Sequence, residues 1–245
     1  MNDEWIVGRH PVSEAIRSGR EINKVWLNKE GRGFSGLLEL IKENGIAVQF
    51  VPKQKLDQLS PSAQHQGVVA SVAAYRYSGL SDLFNLAKKR GEPPFFLMLD
   101  NIEDPHNLGS ILRTADASGC HGVIIPKRRS VGLTSVVAKA STGAIEYVPV
   151  VRVSNLANTM DAMKKQGVWF AGTAADGSED YRRADYALPL CLVIGNEGSG
   201  LSQLVRKKCD FLIRIPMKGK VTSLNASVAA GLLMYEVFRQ RDRQR

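Results

Sequence analysis

Hydrophobic residues in this chain fall into short blocks, and the spacing within a block changes along its length. From residue 95 onward, five compact apolar runs stand at residues 95–99, 122–125, 168–171, 191–194 and 211–215. Runs of four or five without polar alternation predict strands covered on both faces, as in a parallel sheet. Stretches with helical spacing separate them, for example residues 108–118 before Gly119 and residues 156–166 before Gly167. Each ends at a glycine suited to closing a helix. The alternation predicts an α/β domain whose ligands bind beyond the C-terminal ends of its strands. The last strand breaks at Pro216, and a stretch holding Ser223 and Asn225 opens a final helix.

The first 75 residues predict a small α/β unit. Pro11 opens a short helix through Arg17 that stops at Gly19, residues 22–27 are extended, and residues 34–43 have helical spacing before Gly45. Residues 46–51 and 67–74 are expected strands, with a helix from about Lys53 between them. Residues 76–94 change character, with a helix at about residues 80–89 and then Arg90-Gly91-Glu92-Pro93-Pro94. Such punctuation marks a boundary. The expected organisation is a domain at 1–75, a linker at 76–94 and a larger domain at 95–245.

With 44% hydrophobic residues in 245, the chain can bury a sizeable core. It has no run of about 18 apolar residues, and the first ten residues include two acids where a signal peptide is basic and then apolar. A cytoplasmic protein with no membrane span is expected. Cys120, Cys191 and Cys209 are widely spaced, with no CxxC or His/Cys pairing, which predicts buried free thiols and no metal site. The formal charge is +9, and residues 95–245 hold 20 of the 33 basic side chains against 14 acidic ones. Basic clusters stand at Lys127-Arg128-Arg129, Arg182-Arg183, Arg206-Lys207-Lys208, Lys218 with Lys220, and residues 239–245. Five such clusters in one region suit a nucleic acid.

Gly31-Arg32-Gly33-Phe34-Ser35-Gly36 fits the dinucleotide pattern GxGxxG, but the next strand ends in Pro52-Lys53-Gln54 with no acid to hold a ribose. A loop flanked by Lys29 and Arg32 is the better expectation. The P-loop, HExxH and GxSxG patterns are absent from the sequence. Candidate chemistry gathers instead in three loops, at residues 100–109, 195–200 and 216–225. In the first, Asn107 is placed like a helix N-cap, Gly109 leaves room for close approach, and Arg113 follows along the helix. A polar loop, a helix N-terminus and an arginine together bind a phosphate or a developing oxyanion, although a capped helix with a surface arginine accounts for the same residues. The second loop carries three glycines with Glu197 at its rim.

Three motifs in order, residues 104–113 (DPHNLGSILR), 193–201 (VIGNEGSGL) and 215–229 (IPMKGKVTSLNASVA), resemble the SpoU/TrmH branch of the knotted RNA methyltransferases. The similarity extends through residues 8–12, 65–68, 126–129 and 139–144, and is greatest to bacterial 23S ribosomal RNA guanosine 2′-O-methyltransferases. The resemblance implies a C-terminal parallel-sheet domain with a trefoil knot, a small ribosomal-protein-like RNA-binding domain before it, and a homodimer. It implies S-adenosyl-L-methionine bound against main chain around Gly195, Ile215 and Leu224, with Thr173 nearby.

Arg113 is then the first choice for engaging the ribose hydroxyl and its adjacent phosphate. A guanidinium hardly deprotonates in proteins, so oxyanion stabilisation suits it better than general-base work. Glu197 orients Arg113, accepts the proton, or ties down the glycine turn. Asn107 and Asn225 position the ribose or organise the loops; Ser223 does the same or caps the final helix. His106, the conventional base, ranks below Arg113. Arg9, Lys127, Arg128 and Arg129 are the candidate RNA contacts. Two other functions fit less well: a tRNA guanosine 2′-O-methyltransferase, and a non-catalytic RNA-binding ribosome assembly factor.

Overall fold

The structure is a computed structural model that describes residues 5–17, 19–60, 65–72 and 75–242. Two compact units divide the chain, one of residues 1–76 with 132–136, the other of residues 77–131 with 137–245.

The smaller unit runs β1 (Trp5–Val7), α1 (Arg9–Arg17), β2 (Ile22–Asn28), α2 (Ser35–Glu43), β3 (Val48–Val51), α3 (Lys53–Leu59) and β4 (Val68–Val72). Its sheet has the order β1-β4-β2-β3, with β2 and β3 parallel and the other pairs antiparallel. Val12, Ile16, Leu37 and Ile41 of α1 and α2 pack with Val25, Leu27, Val68 and Ala70, while Leu56 of α3 packs with Val51 and Val69. Expected residues 73 and 74 of the last strand lie outside the described residues. The GxGxxG segment is a packed turn: a Cβ on Gly31 would fall 2.4 Å from the buried Phe34 ring. Arg9 lies 4.7 Å over that ring and donates to the carbonyls of Gly33 and Gln66. These contacts brace the turn from one side.

The larger unit runs α4 (Leu80–Arg90), β5 (Phe95–Leu99), α5 (Pro105–Ala117), β6 (Val123–Pro126), α6 (Ser135–Ser141), a 3-10 turn at Ala144–Glu146, β7 (Val150–Val153), α7 (Leu156–Lys164), β8 (Trp169–Thr173), β9 (Glu179–Asp180), β10 (Leu190–Ile194), α8 (Gln203–Lys208), β11 (Phe211–Arg214) and α9 (Ala226–Asp242). Its seven strands pair in the order β7-β6-β5-β10-β8-β11-β9, every pair parallel. Phe96, Met98, Ile124, Met160, Phe170 and Val193 are fully buried in one core cluster. The five apolar runs are β5, β6, β8, β10 and β11. The pattern does not mark β1, β7, β9, α6 and α8, which are too short or too mixed to show a period.

Residues 76–94 depart from the linker expected of them. Within them α4 buries Leu83 in the core of the larger unit. Gly122, at φ 158°, has no room for a side chain, since a Cβ there would lie 2.4 Å from Leu83 Cγ. The last turn of α9 is fixed as well. The Arg241 guanidinium donates to the carbonyls of Pro93, Pro94, Tyr186 and Leu188, so α9 is pinned near its last turn. Residues 243–245 of the expected basic tail lie outside the described residues. Cys120 and Cys191 are buried and Cys209 is half-buried, all three as free thiols. Burial pushes the Cys120 thiol up to about 12.

Leu83→Ala is expected to destabilise the larger unit by about 2–5 kcal/mol through the cavity it leaves, read as a lowered urea midpoint. A freely linking helix would give a change within about 0.5 kcal/mol. An unfolded thiol ionises near 9 while native Cys120 keeps its proton to about 12. This group's stabilising contribution is therefore complete below pH 9 and falls as pH rises from 9 to 12, measurable as urea midpoints of wild type against Cys120→Ala across that range.

Candidate active site

Three loops leaving strand C-terminal ends build the site. After β5, buried Asp100 accepts the Ser202 N–H on Oδ2 at 2.7 Å, and Asn101 takes φ 61°, a left-handed conformation that asparagine tolerates. Pro105 then opens α5, where a missing N–H costs nothing, and Asp104 caps the helix by accepting the His106 N–H at 2.9 Å. Asn107 is therefore not the cap expected of it. It lies buried in the first turn, where Gly109 lets α5 approach α6, a Cβ there meeting Ala140 Cβ at 2.4 Å.

The second loop follows β10 and folds back on itself. The Gly200 N–H donates to the Asn196 carbonyl at 2.9 Å, and Asn196 Oδ1 accepts the N–H groups of Gly198 and Ser199. A Cβ on Gly195 would sit 2.4 Å from the Gly200 carbonyl carbon. Closure of the turn itself thus demands glycine. The third loop joins β11 to α9, where Asn225 Oδ1 accepts the N–H of Ser227 at 3.0 Å and its hydroxyl at 2.6 Å. The capping open to Ser223 falls to Asn225.

One side chain joins all three loops. Glu197 Oε1 accepts Asn107 Nδ2 at 2.7 Å, the Ala226 N–H at 3.0 Å and Asn225 Nδ2 at 3.3 Å, while Asn225 Nδ2 also donates to Asn107 Oδ1 at 2.9 Å. A carboxylate at the start of α9 is favoured by the helix dipole. Of the roles open to Glu197, the contacts are those of an anchor. Its bonds go to the asparagines and α9 rather than to Arg113, because this oxygen is taken up by three donors held by the fold.

Arg113 is exposed on α5, six residues beyond Asn107, with no hydrogen bond or ion pair among the described residues. His106 is exposed on the same helix. A cleft of about 860 Å³ opens between the turn at 195–200, the segment at 215–224 and the end of β8. Thr173, Gly195, Glu197, Ile215, Ser223 and Leu224 line it; Asn107 and Arg113 do not. The Thr173 hydroxyl is spent on the Val193 carbonyl at 3.1 Å. Among the described residues, the main-chain groups of residues 215–224 make no hydrogen bond with one another or elsewhere. Arg128 and Arg129 are exposed beyond β6, whereas Arg182, Arg206, Lys208 and Arg239 of the other basic clusters are paired with Asp180, Asp176, Asp161 and Glu236. Sequence reasoning missed Asp100 and Asn196, whose only signal is a polar residue one or two positions after a buried strand.

Residues 94–235 match the SpoU rRNA Methylase family, and residues 5–78 match a domain described as RNA 2′-O ribose methyltransferase substrate binding. The chain belongs to the SpoU family. Within it, a Bacillus subtilis protein named as a TrmH family tRNA/rRNA methyltransferase, YacO, is 57% identical over 241 residues, spanning 98% of this chain and 96% of its own. The SpoU methyltransferase AviRb of Streptomyces viridochromogenes, solved with AdoMet, superposes with a TM-score of 0.63 at 29% identity, covering 98% of this chain and 90% of its own. An AdoMet-bound rRNA methyltransferase from Sinorhizobium meliloti gives 0.60 at 27% identity, over 96% and 87%.

The chain is an S-adenosylmethionine-dependent RNA methyltransferase, and the knotted α/β architecture implied by the motifs is the architecture of that family. The cleft fits the cofactor. Its volume lies in the range of about 300–1,000 Å³ usual for small-molecule sites, its walls include Ile194, Leu201, Ile213 and Ala229, and its free main-chain groups suit an adenine edge.

Glu197→Ala strands three donors at once, so about 1–3 kcal/mol of stability should be lost. Glu197→Gln keeps an acceptor and should lose less. Thermal unfolding followed by circular dichroism ranks the two; equal stability of Glu197→Ala and wild type would contradict the anchoring role.

Proposed function

We propose that the chain methylates the ribose 2′-hydroxyl of a guanosine in 23S ribosomal RNA. The observation that carries this reading is the bonded cluster of Asn107, Glu197 and Asn225, which ties the wall of the cofactor cleft to the helix bearing Arg113. The cleft and the arginine thereby belong to one rigid arrangement. The match of residues 5–78 to a ribose 2′-O substrate-binding domain supports RNA engagement by the smaller unit. The excess of basic over acidic side chains in residues 95–245, 20 against 14, supports a large polyanion. The family name and the relatives' names support ribosomal RNA, with tRNA as the second substrate that the name of YacO carries.

S-adenosylmethionine supplies a methyl group on a positively charged sulfur. The chain has to hold a poor nucleophile in place and stabilise the charge that grows on its oxygen. Arg113 suits both tasks, since its planar fork reaches a phosphate and an oxygen together and stays charged. It therefore acts by positioning and oxyanion stabilisation. The proton leaves to water or to Glu197 Oε2, the oxygen not used by the three anchoring donors. Gly195, Ile215, Leu224 and Thr173 form the cofactor wall, and Arg128 and Arg129 with Lys127 extend the RNA-facing charge.

A homodimer is part of the proposal. Val228, Leu232, Tyr235 and Phe238 are 41–51% exposed along one side of α9, and such an apolar stripe is where a second copy would pack. No helix among the described residues is long and apolar enough to cross a membrane, and a cytoplasmic site of action is part of the same proposal.

Arg113→Ala is expected to reduce methyl transfer at least a hundredfold with cofactor affinity unchanged. Mapping ribose methylation in ribosomal and transfer RNA from cells with and without the gene tests the substrate. Loss of one mark on a 23S guanosine is expected; loss confined to tRNA would move the protein to the tRNA enzymes, and no lost mark would favour an assembly factor.

A further inference from the structure

Four charged side chains line the cofactor cleft: Asp176, Glu197, Arg206 and Arg214. Two already hold the fold through one of their polar atoms. Glu197 anchors α9, and Arg214 Nη1 donates to the Gly177 carbonyl at 2.9 Å. The other two face each other across the mouth between the end of β8 and α8, Arg206 Nη1 and Nη2 donating to Asp176 Oδ1 and Oδ2, both at 2.9 Å. Neither is buried: the Asp176 side chain is 72% exposed and that of Arg206 38%. The Arg206 fork holds the Asp176 carboxyl below the usual carboxylate range, so it remains an anion near neutrality.

This pair keeps spare capacity on both partners. A guanidinium has five N–H donors and a carboxylate about four acceptor sites, and the mutual contact uses two of each. Side by side they present one positive and one negative edge to the cleft. S-adenosylmethionine ends in an α-amino acid, which near neutral pH carries an ammonium and a carboxylate on the same carbon. We propose that Asp176 and Arg206 together form the subsite for this amino-acid end, Arg206 taking the carboxylate and Asp176 the ammonium. The inference rests on assignment of the cleft to the cofactor. It names two residues that neither the family motifs nor the resemblance singled out. Both act through bound cofactor, fixing its amino-acid end while the apolar walls hold the adenine.

The test compares three ligands by isothermal titration. S-adenosylmethionine and S-adenosylhomocysteine carry the amino-acid end; 5′-methylthioadenosine keeps the adenosine and thioether without it. Arg206→Gln and Asp176→Asn should each weaken the first two about tenfold, one charge-assisted contact's worth at about 1.4 kcal/mol per decade, and leave methylthioadenosine within twofold. Arg206→Lys should recover part of the loss. Unchanged methylthioadenosine binding also shows that the variant cleft is folded. Equal weakening of all three ligands, or of none, overturns the subsite. Failure of the wild-type protein to bind any of them overturns the cofactor assignment of the cleft itself, and the subsite with it.

Discussion

A single carboxylate oxygen holds the three loops of the candidate site together. Glu197 Oε1 gathers donors from the first turn of α5, from the cap residue of α9 and from the first N–H of that helix. Asn107 lies 90 residues before Glu197, and Asn225 lies 28 residues after it. Charge assistance strengthens such contacts, and stranding several donors at once costs more than any one of them contributes. Glycine and asparagine around the oxygen then follow from it: Gly195 and Gly200 let the turn close tightly enough to present the carboxylate, and Asn196 ties the turn from within.

Much of the larger unit was legible because its strands are buried on both faces. The expected run at residues 95–99 is β5 residue for residue, and the other four runs miss by one or two residues at an end. What stayed hidden was short or long-range. β9 has two residues and β1 three, too few to show a period. The packing of α4 depends on a fit between Leu83 and Gly122, which no local pattern contains, so glycine and paired prolines around residue 91 read as a linker.

At the site, Asn107 and Asp104 are both good cap residues three positions apart, and only Pro105 between them identifies the true cap. The motifs placed Asn107, Glu197 and Asn225 in neighbouring loops. Their mutual bonds span 28 to 118 residues and had no trace in spacing. The basic clusters were equally visible, yet several of their members are neutralised by acids next to them in space. Among the described residues, the charge left without an acidic partner is correspondingly narrower than the sequence count implies, and includes Arg128 and Arg129.

The last helix is fastened at both ends, by Glu197 at its start and by Arg241 near its finish. Helix α9 therefore cannot slide along its axis without breaking bonds at one end or the other. The apolar stripe of Val228, Leu232, Tyr235 and Phe238 lies between the two fastenings, so the surface that α9 offers outward is set in place by the same bonds that close the third wall of the cleft.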